Sequence, residues 1–217
     1  MIMRKFDLIV FDWDGTLMDS ASTIARCVQS SFADLGLPVP DDTQARYIIG
    51  LGLEDAMRYL SPELPIADYQ RVAERYRYHF LMREHEPILF EEVATLLEHL
   101  KNDGYKLAVA TGKSRAALDR VLQQTELTRW FEVSRCADEC FSKPHPAMLY
   151  EIMDELTASP DRTLMVGDTT HDLQMAINAN CSAVAVECGA HCKLELQKLN
   201  PLACLPEIKS LRQWLIS

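Results

Sequence analysis

Two aspartates stand close together near the start of the chain, in the segment DWDGTL. Asp12 and Asp14 are two positions apart, so their side chains point to the same side of an extended backbone. Two carboxylates this close repel each other unless a cation or a proton relieves them. Mg²⁺ suits such a pair because it binds one or two carboxylates together with phosphate oxygens of a substrate. Gly15 follows and permits a sharp turn close to a ligand.

Three further segments carry polar groups that fit the same chemistry. Thr111 and Gly112 offer a hydroxyl and backbone amides that can hold phosphate oxygens. Lys143, in the segment SKP, could neutralise a phosphoryl group and a nucleophile together. Asp168 and Asp172, in the segment GDTTHD, offer two more carboxylates for a hard cation. Each segment alone also occurs in ordinary turns and helix caps, so the combination carries the prediction.

The hydrophobic pattern around these segments predicts alternating strands and helices. Apolar runs predict strands at 6–11, 106–110, 131–134, 163–166 and 183–186. Helical spacing predicts helices at 90–103, 114–124, 146–156, 171–179, 193–199 and 207–216. This alternation predicts an α/β fold with a doubly wound parallel sheet. Because the carboxyl ends of parallel strands converge on one crevice, we expect the ionisable groups of the four segments to meet there.

The segment 18–85 interrupts the alternation. Its pattern predicts helices at about 20–35, 54–60 and 67–85 and no strand. We interpret 18–85 as a helical cap inserted after the first strand, and 1–17 with 86–217 as the α/β catalytic core. An insertion at this point lies beside the carboxyl ends of the strands, where it could cover a site.

The four segments together resemble the motifs of the haloacid dehalogenase (HAD) superfamily of hydrolases. Residues 12–20, DWDGTLMDS, resemble the first motif, usually DxDGTLxDS. ATGK at 110–113, SKP at 142–144 and VGDTTHD at 166–172 resemble the second, third and fourth. The resemblance covers essentially the whole chain and is greatest to phosphoglycolate-phosphatase-like members with a helical cap. It implies a HAD-type core, a doubly wound parallel sheet with a cap inserted after the first motif.

The resemblance implies a magnesium-dependent phosphomonoesterase acting on a small, phosphoglycolate-like phosphorylated metabolite. Asp12 would be the nucleophile that attacks phosphorus and forms an aspartyl phosphate. Asp14 would protonate the leaving oxygen and then deprotonate the hydrolytic water. Thr111, Gly112 and Lys143 would hold the phosphoryl oxygens.

The resemblance also implies the ligands of Mg²⁺. The Asp12 carboxylate, the Asp14 main-chain carbonyl and Asp168 would bind the ion, with Asp172 beside it or among its ligands. Asp14 separates this branch from the dehalogenases, which lack an acid two positions after the nucleophile. We therefore expect phosphoester hydrolysis rather than dehalogenation.

The segment 49–55, IGLGLED, is the loop of the cap that we expect to face the site and set specificity. Sugar-phosphate mutases of similar build carry basic residues here to hold a second phosphate. Leu51 and Leu53 stand in this loop instead, which favours a monophosphate with an uncharged remainder. Arg46 and Arg58 flank the loop and could reach a carboxylate or form ordinary surface charges. The candidate specificity residues are Arg46, Gly50, Leu51, Gly52 and Leu53.

Composition limits the partners. The chain has 217 residues with 22 Lys and Arg against 32 Asp and Glu, a net charge of −10 and a pI of about 5.1. Such an acidic chain disfavours nucleic-acid binding. We expect no membrane span, no signal peptide and reduced cysteines, because apolar runs are short and no CxxC occurs. We predict a cytoplasmic monomer or weak homodimer.

Two alternatives stay open. A phosphosugar mutase or phosphotransferase of the same fold would pass phosphate to a sugar rather than to water. A regulatory phosphoacceptor would keep its aspartyl phosphate instead of hydrolysing it. Receiver domains, which act in this way, also combine acidic residues, a Thr and a Lys on a parallel sheet. They lack an inserted cap and an acid at the position of Asp14. Among substrates, phosphoglycolate, a nucleoside monophosphate and a sugar phosphate remain open.

Overall fold

A six-stranded parallel sheet forms the centre of the molecule. The computed structural model describes residues 4–83 and 88–217. The strand order is β3-β2-β1-β4-β5-β6, and every pair is parallel. The order runs outward in both directions from β1, which confirms the predicted doubly wound α/β fold. The strands are β1 Leu8–Phe11, β2 Lys106–Thr111, β3 Val133–Cys136, β4 Thr163–Gly167, β5 Ser182–Val186 and β6 Cys204–Leu205.

Helices cover both faces of the sheet. Ile9 and Phe11 belong to one buried cluster, whereas Leu8 and Val10 belong to a second cluster on the other face. Because both faces are buried, the strands read as continuous apolar runs rather than as alternating ones. Helices α5, α6 and α10 contribute to the first cluster, and α7, α8 and α9 to the second. Their bounds are α5 Val93–Asn102, α6 Arg115–Gln124, α7 Ala147–Leu156, α8 Thr170–Asn178, α9 Lys193–Gln197 and α10 Leu211–Ile216.

Four helices between β1 and α5 form a separate layer, here called the helical insertion. They are α1 Ala21–Asp34, α2 Asp42–Tyr47, α3 Leu53–Leu60 and α4 Ile66–Arg83. Apolar residues of all four helices make a third buried cluster, distinct from the two clusters of the sheet. The last residues of the helix predicted at 67–85, and the domain boundary predicted at 85/86, lie outside the described residues.

Several predicted bounds were wrong by a few residues, and helix α2 and strand β6 were missed. Helix α5 begins at Val93 rather than at residue 90, because Glu92 has φ 62°, a left-handed conformation that cannot extend a helix. Helix α2 was missed although Asp41 and Gln44 form a capping box at its start. Strand β6 has two residues, too few to give a pattern. Within the described residues, no helix combines the length and apolar character needed to cross a membrane.

Candidate functional site

Three neighbouring strands bring the first, second and fourth segments to one edge of the sheet. Phe11, the last residue of β1, pairs with Val109 of β2 and Val166 of β4. Asp12 therefore leaves the sheet between its two neighbours, and its N–H donates to the Val166 carbonyl at 2.9 Å. Thr111 ends β2, and Asp168 directly follows β4. The predicted convergence at the carboxyl ends of the strands is thus present in the structure.

Lys143 reaches this edge from the loop between β3 and α7. Its side chain is completely buried, and its Nζ lies 2.7 Å from Asp12 Oδ1 and 2.6 Å from Asp172 Oδ1. Burial works to lower the pKa of Lys143, but the charges and hydrogen bonds of Asp12 and Asp172 outweigh it and raise the pKa above its ordinary value. The lysine is therefore a fixed buried cation that bridges two carboxylates.

Asp172 is positioned by the beginning of helix α8. Thr169 is the N-cap residue, and Asp172 stands three positions later, so the two form a capping box. The Thr169 backbone N–H and hydroxyl donate to Asp172 Oδ2 at 3.1 and 2.7 Å. This leaves Asp172 Oδ1 free to accept from Lys143. The capping box at the start of α8 thus orients the Asp172 carboxylate towards Lys143.

Asp168 is held by donors from two other segments. Thr16 Oγ1 donates to Asp168 Oδ1, and the Ala190 N–H donates to Asp168 Oδ2, both at 2.7 Å. Gly15 packs against the same carboxylate with φ +82°, and a Cβ at Gly15 would overlap Asp168. The DG turn after β1 therefore needs glycine for both its conformation and its contact.

Asp12, Asp168 and Asp172 form a cluster that can hold a metal ion. Each offers a carboxylate oxygen, and these oxygens lie within 4.8 Å of one another. Asp12 Oδ2 is buried without a hydrogen-bond partner among the described residues, which leaves it available as a ligand. Burial raises the pKa of Asp12 well above its usual range, and burial with the Asp172 charge raises the pKa of Asp168 to about 7. Lys143 contacts Asp12 and Asp172, so ionisation of all three carboxyl groups leaves an excess negative charge that a divalent cation would balance.

The Asp14 side chain lies apart from this cluster. Ser20 Oγ donates to Asp14 Oδ1 at 2.7 Å, and Lys113 Nζ lies 3.0 Å from the same oxygen. Lys113 Nζ also lies 5.0 Å from the centre of the Phe80 ring on α4. Lys113 is a site residue that the sequence reasoning did not single out, although it stands directly after Thr111-Gly112 in the second segment.

The helical insertion rests directly on the second and third segments. A Cβ at Gly112 would lie 2.7 Å from the Gly50 carbonyl, so the two backbones touch. The Gly52 N–H donates to Ser142 Oγ at 2.7 Å. Thr111 is buried, and its Oγ1 accepts from the Lys113 N–H at 3.2 Å. The loop 50–53 is therefore fixed over the phosphate-binding residues that the sequence predicts.

A cavity of about 1110 Å³ lies between the helical insertion and the core. Asp12 and Asp14 line it, as do Gly112 and the whole loop 50–53. Arg46, a predicted specificity residue, is not among the described residues that line it. Arg46 instead donates to Asp42 Oδ2 and Ser22 Oγ, both at 2.8 Å. Arg46 thus binds within the helical insertion.

Two buried histidines fix the helical insertion on another side. His171 Nε2 and His191 Nε2 lie 2.6 and 3.1 Å from the Tyr47 carbonyl oxygen. The Thr170 N–H donates to His191 Nδ1 at 3.0 Å, so Nε2 carries the proton that Tyr47 accepts. Burial lowers the pKa of both histidines. The sequence motifs assign neither histidine a role, and nothing in the spacing of the two indicates the shared partner.

Comparison with known proteins assigns the family. Residues 9–186 match the model of the haloacid dehalogenase-like hydrolases. A relative named "Probable phosphatase IndB", from Dickeya dadantii, is 37% identical over 89% of this chain and 86% of that protein. The phosphoglycolate phosphatase of Pasteurella multocida is 32% identical over 92% of this chain and 93% of that protein. A crystal structure of a haloacid dehalogenase-like hydrolase from Bacteroides fragilis has TM-score 0.87 and 26% identity, covering 95% of this chain and 100% of that one. The chain therefore belongs to the haloacid dehalogenase-like hydrolase family.

Proposed function

We propose that the chain is a magnesium-dependent phosphomonoesterase that hydrolyses a small phosphorylated metabolite through an aspartyl phosphate. The single observation that carries the proposal is the buried cluster in which Asp12 meets Lys143, Asp168 and Asp172. A carboxylate beside a fixed cation and a candidate metal site is the arrangement that phosphoryl transfer needs. The names of the relatives from Dickeya dadantii and Pasteurella multocida, both phosphatases, support the same chemistry.

Asp12, Asp168, Asp172 and the main-chain carbonyl of Asp14 would hold Mg²⁺. The three buried carboxylates and the unpartnered Asp12 Oδ2 among the described residues support this ligand set. When bound, Mg²⁺ neutralises charge on the phosphoryl oxygens and orients the phosphate. The reacting groups themselves belong to the protein.

The proposed reaction has two steps. Asp12 attacks phosphorus while the bond to the leaving oxygen breaks, and Asp14 donates a proton to that oxygen. Asp14 then takes a proton from water as the water attacks the aspartyl phosphate, which releases inorganic phosphate and restores Asp12. Lys143, Thr111 and the Gly112 amide would hold the phosphoryl oxygens during both steps.

The helical insertion would act as a cap over this chemistry. We propose 18–85 as the cap and 1–17 with 86–217 as the core. The contacts of Gly50 with Gly112 and of Gly52 with Ser142 support closure of the cap over the phosphate-binding residues. Leu51 and Leu53, which line the cavity with these glycines, would contact the organic part of the substrate.

The proposal is tested with para-nitrophenyl phosphate, with and without Mg²⁺. We expect wild type to release phosphate only with Mg²⁺. Asp12→Asn and Asp14→Asn should each lower kcat by about 10³-fold or more, because one removes the nucleophile and the other the acid and base. Circular dichroism and Tm report whether each variant remains folded. Retention of most activity by either folded variant contradicts the assignment.

The same preparation separates the alternatives. With acetyl phosphate as donor, a hydrolase returns to the free Asp12 carboxylate quickly, whereas a phosphoacceptor module retains a long-lived aspartyl phosphate. Transfer of labelled phosphate to a sugar rather than to water would identify a mutase or phosphotransferase. Leu51 and Leu53 in the loop of the cap, in place of basic residues, favour hydrolysis of a monophosphate.

A further inference from the structure

We propose that the substrate carries an uncharged, ring-sized apolar group on its phosphate ester, and that this group occupies the cavity between the helical insertion and the core. The inference rests on the proposed phosphomonoesterase function and names its substrate class. It would exclude a two-carbon acid such as phosphoglycolate as the preferred substrate.

The size of the cavity is the first argument. Its volume is about 1110 Å³, and Asp12 and Asp14 form part of its wall, so it opens directly onto the reacting groups. Cavities of about 300–1,000 Å³ hold molecules of drug size. A two-carbon acid would leave most of this cavity filled with water against apolar walls, and such burial would contribute little to binding.

The chemistry of the wall is the second argument. Helix α1 lines the cavity with Ile24, Val28 and Phe32, which stand four positions apart and so share one helical face. Helix α4 lines it with Ala73 and Phe80, among other residues. These two apolar faces form one side of the cavity, and that side suits a flat or bulky hydrocarbon group. Polar and charged residues such as Asp55 and Asp138 line the rest.

The charges around the cavity are the third argument. Of the described cations that line it, Lys113 is the least exposed, and Asp14 already matches its charge at 3.0 Å. Arg58, Arg77 and Arg120 also line the cavity and are exposed, and Arg58 is paired with Glu54. A substrate carboxylate would have to displace Asp14 from Lys113 or bind a solvated guanidinium. A neutral group requires neither the displacement of Asp14 nor the desolvation of a guanidinium.

The test compares three alkyl phosphates, which avoids the activated leaving group of an aryl ester. The substrates are 2-phenylethyl phosphate, ethyl phosphate and phosphoglycolate, each with Mg²⁺ and wild-type enzyme. We expect kcat/KM for the phenylethyl ester to exceed that for each of the others by about tenfold or more, because the ring buries apolar area that the small esters lack.

A pair of variants shows where the ring binds. Ala73→Phe adds a bulky side chain to the cavity wall on α4, whereas Ala67→Phe makes the same change on an exposed position of α4 outside the cavity. Ala73→Phe should lower kcat/KM for phenylethyl phosphate at least about tenfold and change that for ethyl phosphate less than about threefold. Ala67→Phe should change neither.

The outcomes separate this inference from the proposed function. If kcat/KM for phosphoglycolate equals or exceeds that for 2-phenylethyl phosphate, the inference is wrong, but the proposed phosphomonoesterase function is unaffected. Loss of activity towards both alkyl esters in Ala73→Phe, with an unchanged ratio, overturns the location of the ring. If wild type hydrolyses neither para-nitrophenyl phosphate nor any alkyl ester, the proposed function itself fails, and the inference falls with it.

Discussion

The ammonium of Lys113 lies 3.0 Å from Asp14 Oδ1, the oxygen that also accepts from Ser20 Oγ. The same ammonium lies over the Phe80 ring of the helical insertion. Lys113 therefore connects the proposed acid and base of the core to a side chain of the helical insertion. We expect the orientation of Asp14 to depend on the position of the helical insertion.

Removing Lys113 tests this connection. Lys113→Met deletes the cation beside Asp14 and its contact with Phe80, so we expect kcat to fall about tenfold, the value of one hydrogen bond to a charged group. Lys113→Arg keeps the charge and should lose less. Steady-state kinetics with para-nitrophenyl phosphate measures both. An unchanged kcat in the Met variant would show that Lys113 does not contribute to the function of Asp14.

Lys143 should matter for stability as well as for activity. Lys143→Met leaves Asp12 and Asp172 buried without their shared cation, and we expect the free energy of unfolding to fall by about 3–5 kcal/mol without Mg²⁺. Urea denaturation measures the loss, and added Mg²⁺ should restore part of it. Lys209→Met, at a solvent-screened lysine paired with Glu91, is the control and should lower the free energy of unfolding far less. Equal decreases in the free energy of unfolding of the two variants would contradict a stabilising role for the buried contacts of Lys143 with Asp12 and Asp172.

Gly112 should control closure of the cap. A Cβ in Gly112→Ala would meet the Gly50 backbone at 2.7 Å and push the loop 50–53 away from the core. We expect kcat/KM to fall about tenfold or more with the fold retained, because the groups that hold the substrate separate. Gly36→Ala is the control: Gly36 has φ +67° and open space around it, so that change should lower Tm and leave kcat/KM unaltered. Unchanged kinetics in Gly112→Ala would mean that this contact does not govern access.

The two histidines that bind Tyr47 should make stability depend on pH. Burial lowers the pKa of His171 and His191 from the ordinary value of 6.5, and it outweighs the opposing effect of the Tyr47 carbonyl. A base whose pKa is lowered by folding adds stability above its unfolded pKa, and this contribution is lost as the pH falls below about 6.5. We therefore expect the histidines to lower Tm between pH 7.5 and pH 5.5. Asp168, whose pKa is raised to about 7, has the opposite effect, so both Tm values are measured with saturating Mg²⁺, which would keep Asp168 ionised.

His191→Gln isolates the contribution of one histidine. Glutamine keeps an N–H that can donate to the Tyr47 carbonyl, but it does not titrate in this range. The decrease in Tm from pH 7.5 to pH 5.5 should therefore be smaller in the variant than in wild type, by about 2 °C or more. Differential scanning fluorimetry at both pH values measures the difference. The same decrease in both proteins would show that protonation of His191 does not weaken the structure.

Local patterns were enough to predict the fold class and the placement of the polar segments. The continuous apolar runs around Ile9, Val109 and Met165 predict strands buried on both faces. Alternation of strands with helices predicts a parallel sheet, and the ends of its strands must converge. The proximity of Asp12 and Asp168 could therefore be predicted from the sequence, because the convergence of strand ends depends on topology and not on side-chain packing.

The sequence by itself determined the strands, most of the helices and the acidic and basic groups placed at the strand ends. Only the tertiary structure decided that Lys113 meets Asp14, that Arg46 binds Asp42 and Ser22, and that a large apolar cavity adjoins the carboxylates. His191 and Tyr47 are 144 positions apart and share no pattern, yet they form a hydrogen bond. The physical reason is that periodicity reports which face of an element is buried, whereas the partner of a polar side chain depends on how separate elements pack.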